Sequence, residues 1–129
     1  MSRVSLLAAV AYVVIGVVFS TLVRSVDVQV SRLAAWLASA AVAAAQIAYE
    51  HYRLASSPRA TALHAAGAVA LGAFGLALAA NMHSWFAATP GHQSRLLLAL
   101  VAWPVITALP AFVAALVTAL VLARVSPRA

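Results

Sequence analysis

The sequence predicts an all-α polytopic membrane protein: four transmembrane helices with short loops, folded as one antiparallel bundle over residues 1–129. Three observations predict it. Hydrophobic residues make up 66% of the chain and charged residues 8%, against ~45–50% and ~25% in an ordinary globular domain. The charges fall between long apolar runs: residues 4–23, 33–49, 60–94 and 96–123 contain no Asp, Glu, Lys or Arg. At 1.5 Å per residue, ~17–25 helical residues cross a ~30 Å hydrocarbon core. Finally, no run alternates apolar and polar residues as a membrane β-strand would over ~10 positions. Lipid offers no partner for a bare amide, so each span must be helical.

The same composition excludes several function classes. Eight arginines, no lysine and two acids, Asp27 and Glu50, cannot coat a soluble domain of 129 residues. A water-soluble enzyme and a disordered tail are excluded, and the absence of cysteine excludes a secreted disulfide scaffold. The formal charge of +6 does not point to nucleic acid, because the arginines punctuate apolar runs instead of clustering on one face.

The first helix is expected over residues 4–24, flanked by Arg3. Its apolar run exceeds the ~7–15 residues of a signal-peptide core and no A-x-A-like site follows, so it reads as an uncleaved anchor. The second is expected over 31–54, with Ser31 as N-cap and Ser25 as an earlier alternative start. The third is expected over 58–83, because Ser57-Pro58 reads as N-cap followed by N1. Trp85 and Phe86 then serve as interface anchors before a Thr89-Pro90-Gly91 loop. The fourth, over 94–124, contains Pro104 and Pro110 and should be bent, as a plain kink or as a gating hinge. Thr107 is placed to re-satisfy a carbonyl freed by proline.

Four spans put the N-terminus, the 2–3 connection and the C-terminus on one side. That side holds Arg3, Arg53, Arg59, Arg124 and Arg128; the other holds Arg24, Arg32 and Arg95. Five against three makes the first side cytoplasmic, in a bacterial inner membrane, with dual topology left open.

Residues three and four apart share a helix face. Small or polar stripes run through Ser5, Ala9, Tyr12, Gly16 and Ser20; through Ser39, Ala43, Gln46, Glu50 and Arg53; through His64, Ala68, Gly72, Gly75 and Ala79; and through Thr107, Ala111, Ala114 and Thr118. Apolar helices in lipid associate through close packing at small residues, so the stripes are expected inside, with Ala66 on the opposite, outer face of its helix. In the first helix, alanine is abundant enough for such a stripe to arise by chance.

The candidate site follows from hairpin arithmetic. If the second and third helices turn around residue 57, positions summing to about 114 share a depth, which pairs Glu50 with His64 on the order of 10 Å from the midplane. Arg53 is one turn outward on the Glu50 face and Gln46 one turn inward. An ionisable residue within a span marks a functional site by default, and a carboxylate–imidazole pair can exchange a proton near neutral pH. The competing reading is an interfacial network whose charged ends snorkel to headgroups.

Haem is the third possibility. His51 and His64 match in depth, but His51 is turned about 100° from Glu50, away from the shared groove. His83 and His92, near Asn81, offer a second weak metal or haem site on the other side. No metal motif, haem-attachment motif, P-loop or nucleophile elbow is present, and Asp27 and Glu50 lie near opposite faces, so enzymatic activity is not expected. Size and span count invite comparison with small multidrug transporters and fluoride channels. The former carry a glutamate in the first helix, where this chain has none, and the glycine, asparagine and Phe-Thr patterns of the latter are missing.

The expected function is therefore proton-coupled or channel-like translocation of a small ion or solute through the Glu50–His64 pair, with Arg53 and Gln46 in support. The alternatives are an accessory subunit packed on larger membrane proteins and a haem- or quinone-binding electron-transfer subunit. The expected partners are the lipid bilayer and either further copies of the chain or a larger membrane complex, with no nucleic acid.

Overall fold

A computed structural model describes residues 2–22, 27–86 and 93–126. Arg24, Ser25, the Thr89-Pro90-Gly91 loop, His92 and Arg128 lie outside the described residues. The described chain is helical, in the order α1 (Arg3–Leu22), α2 (Val28–Tyr52), α3 (Pro58–Phe86) and α4 (Gln93–Val125). All four helices are long and apolar enough to cross a membrane.

Local hydrogen bonds explain where each helix begins. Ser2 opens α1: its Oγ accepts from the Ser5 N–H at 3.2 Å and its carbonyl from the Leu6 N–H at 3.3 Å. Asp27 opens α2, accepting from the Gln29 N–H at 2.9 Å. This corrects the expected start at Ser31. An aspartate caps the exposed N–H groups and also meets the positive end of the helix dipole, so the helix extends back to it. Ser31, now inside the helix, is buried. Ser57 caps α3 as the sequence predicts, its Oγ accepting from the Ala60 N–H at 3.3 Å, with Pro58 as the first helical residue.

Between α2 and α3 the chain turns through Ala55, which takes a left-handed conformation with φ 50°. The turn returns the Ser56 N–H to the Glu50 carbonyl at 3.1 Å. In α4 the helix continues through both prolines. Proline removes the bond to the carbonyl four residues earlier, which frees those of Leu100 and Ile106. The Thr107 hydroxyl satisfies neither: it donates to Trp103 O at 2.7 Å and Pro104 O at 3.3 Å. A threonine hydroxyl reaches only the carbonyls three and four residues back, so its expected role is corrected.

α2 and α3 touch each other, and each also touches both α1 and α4. Among the described residues α1 and α4 do not meet, so they flank a central α2–α3 pair. One apolar cluster, Ala8, Ala9 and Ala68 with Tyr12 and Val42, joins α1, α2 and α3. A second, Ile47, Ala62, Ala65 and Ala115 with Phe112 and Leu116, joins α2, α3 and α4. The outer surface is studded with large apolar side chains such as Leu7, Trp36, Leu63, Trp103 and Leu109, as lipid-facing helices require.

The α1 stripe is inside at Ser5, Ala9, Tyr12 and Gly16, so chance does not account for it; Ser20 is exposed. On α3 the stripe is inside from Ala68 through Gly75, and Ala79 is exposed. Ala66, expected on the outer face, is instead buried. A helix packed on both α1 and α4 has no single inner face. On α4 the buried residues are Ala115 and Ala119, not Ala114 and Thr118, a rotation of one residue from the expected stripe. Thr118 satisfies its hydroxyl on Ala114 O at 2.8 Å, so it can face outward without an unpaired polar group.

Candidate functional site

The site forms where the end of α2 meets the start of α3 and the start of α1. Glu50 is fully buried, two residues before the end of α2. Its Oε2 lies 2.9 Å from His64 Nδ1, in the second turn of α3. The pairing that hairpin arithmetic selects is therefore a direct contact. Glu50 Oε1 accepts from Gln46 Nε2 at 3.2 Å, one turn deeper. The same Nε2 lies 3.4 Å from Ser5 Oγ on α1, and Ser5 Oγ is 2.9 Å from Ser2 Oγ. A polar chain of Ser2, Ser5, Gln46, Glu50 and His64 thus links three helices.

The members differ in access. Glu50, Ser5 and Gln46 are buried at 0%, 0% and 2% exposure, whereas the His64 side chain is 30% exposed. The imidazole is the one ionisable member that reaches the outside. The pair can hold a shared proton in two ways: on the ring, as an imidazolium–carboxylate pair, or on the carboxyl, donating to a neutral ring nitrogen. A carboxylate in a span is costly, ~2.5–3.5 kcal/mol at a helix centre and less toward the interface. Two donors on its two oxygens offset that cost. Gln46 Oε1 has no hydrogen-bond partner among the described residues.

Arg53, expected in support on the Glu50 face, does not join the network. It is the C-cap of α2, exposed, and its backbone N–H bonds to Tyr49 O at 2.9 Å. One turn outward places it past the packed helices, where its long side chain extends from the surface. His51 is buried, but its Nε2 is 3.2 Å from the Ser126 carbonyl just after α4, and its ring stacks edge-on against Tyr52. His51 and His64 thus face different neighbours instead of converging on one ligand. His83 is exposed. Among the described residues no group of three or more His, Cys, Asp or Glu is gathered as a metal site.

Ser2, the hydrogen bonds of Ser5 and Asn81, and the His51–Ser126 contact are not assigned from the sequence alone. Ser2 and Ser5 show a readable signal: a serine three residues from another, just before an apolar run, is an N-cap spacing. Asn81 lies buried toward the end of α3 and donates to Ala77 O at 2.9 Å and to Leu96 O on α4 at 2.8 Å. Its signal was an amide inside an apolar span, where it must find a partner. The His51–Ser126 contact uses a backbone carbonyl, which the sequence does not mark.

Comparison of the chain with protein-family models, with curated proteins and with solved structures gave no match.

Proposed function

We propose that this chain is a small non-enzymatic integral membrane protein that translocates a small ion or solute with a proton as partner or trigger, and that Glu50 and His64 are its titrating pair. In this reading the helices form an antiparallel up-down-up-down bundle in a bacterial inner membrane, with both termini cytoplasmic. The protein works as a homo-oligomer or within a larger membrane complex. The observation that carries the reading is a fully buried carboxylate 2.9 Å from a ring nitrogen of a part-exposed imidazole. A proton can enter and leave through His64 without opening the carboxylate itself. Gln46 holds the other carboxylate oxygen and relates the proton's position to α1 through Ser5.

A second reading, an accessory subunit packed against larger membrane proteins, is favoured by a different observation. Inward from the pair, the α1–α3 contact is filled by Ala68, Gly72 and Gly75 against Ala9, Tyr12 and Val13. These alanines and glycines offer no side-chain partner to a migrating ion, so a path through one copy would have to run elsewhere.

Reconstitution separates the two. Vesicles containing the unmodified chain should show a pH-dependent flux. Glu50→Gln, which keeps size and hydrogen bonding, should abolish that flux while the protein stays folded, and His64→Ala should shift its pH dependence. An absence of flux over a broad panel of ions and small cations would replace the transport reading with the accessory one.

A further inference from the structure

The contacts just described gather one end of every helix. Ser5 near the start of α1, Glu50 near the end of α2 and His64 near the start of α3 share a network, and His51 on α2 meets Ser126 just past α4. This end carries Arg3, Arg53, Arg59 and Arg124, one from each helix or its cap, and all four are at least partly exposed. The whole chain has two acids. Asp27 caps the start of α2, far from this end, and Glu50 is buried and taken by His64. Among the described residues none of the four arginines pairs with a carboxylate. No other acidic side chain is present in the sequence to neutralise them.

We propose that this arginine rim binds the phosphate headgroups of anionic glycerophospholipids. Three features favour a lipid over a docked macromolecule. The guanidinium fork matches phosphate oxygens two at a time. The charges sit where apolar helices end, at the level of the headgroups. They are also spread over four helices instead of forming a patch on one face, as fits lipids that surround the protein on all sides. Anionic lipid attracts each such basic residue separately, so the contributions of the four should accumulate. The proposal does not depend on the translocation reading.

The test uses the full chain in detergent micelles holding equal amounts of phosphatidylglycerol and phosphatidylcholine with the same acyl chains. Native mass spectrometry then counts retained lipid. Phosphatidylglycerol should be retained in excess, and the excess should shrink as salt rises. R3Q, R53Q, R59Q and R124Q should each reduce it, by about fivefold for each charge removed, whereas R53K, which keeps the charge and loses the fork, should reduce it less. R32Q and R95Q, at the other ends of α2 and α4 where the described arginines are two instead of four, should reduce it less. Equal retention of the two lipids overturns the proposal, as does a loss in R32Q that equals the loss in R53Q. Displacement of the phosphatidylglycerol by millimolar inorganic phosphate would also overturn it, since the rim would then be a site for free anions.

Discussion

Glu50 and His64 depend on each other unequally. The carboxylate has no access to water and two donors, whereas the imidazole is part-exposed and has water as an alternative partner. Removing His64 should therefore be the harsher change. His64→Ala leaves a buried charge half-compensated, a class of lesion that costs about 3–5 kcal/mol. Adding Glu50→Gln to that variant should restore much of the loss, because an amide needs no counter-charge. Unfolding of the two single variants and the double variant in detergent measures this. Additive losses would mean that the pair is not coupled. Ala55 makes a simpler case. A non-glycine residue at φ 50° is strained by roughly 1–2 kcal/mol, so Ala55→Gly should stabilise the protein by about 1 kcal/mol, less the glycine's extra chain entropy. A destabilised Ala55→Gly would show that the turn is held by more than this one torsion angle.

The α1–α3 contact gives the element scale its sharpest test. A Cβ added at Gly72 would lie 2.7 Å from Tyr12 Cβ, which is fixed to its own backbone. One added at Gly16 would meet the Leu76 methyls, at the free end of a flexible side chain. Gly72→Ala should thus cost about 1–3 kcal/mol by overpacking, and Gly16→Ala much less, with Ala79→Leu on the exposed part of α3 nearly neutral. Equal costs at positions 72 and 79 would place the wrong face inside. These faces also show what periodicity can reveal. The α1 and α3 stripes were legible because small residues at helical spacing have one use in lipid, which is close approach. The α4 stripe was misread by one residue because threonine looks polar in a sequence but is self-satisfied on a helix. Ala66 was misplaced because a pattern on one helix does not reveal how many neighbours that helix has. The start of α2 was misjudged because two capping residues stood within about one turn of each other, and the aspartate prevailed. The Glu50–His64 contact could be read because a short hairpin fixes depth. The reach of Arg53 could not, because facing direction alone does not say where packing stops.

At the scale of the molecule, the polar groups divide between its two ends. One end holds the buried pair, the His51–Ser126 contact and the four rim arginines; the other holds the Asn81–Leu96 contact and the Asp27 cap. In the proposed up-down-up-down topology, four helices that each cross the membrane once would place the first end wholly on one side. On the proposed orientation the excess of arginine there keeps that side cytoplasmic, because arginine near a span resists translocation while acids count for little. Reporter fusions after Ala129 and within the 53–57 connection should both read as cytoplasmic, and a fusion near Gly91 as external. The bias rests on few charges, so it should be reversible. Replacing Arg53 and Arg59 by glutamine, while adding two arginines beside Arg95, changes the balance from five against three to three against five. That variant should invert a measurable fraction of the molecules. Cytoplasmic signals that persist unchanged in the variant would mean that orientation is set by something other than the arginine rim, and mixed signals at all three sites of the unmodified chain would mean that both orientations are native.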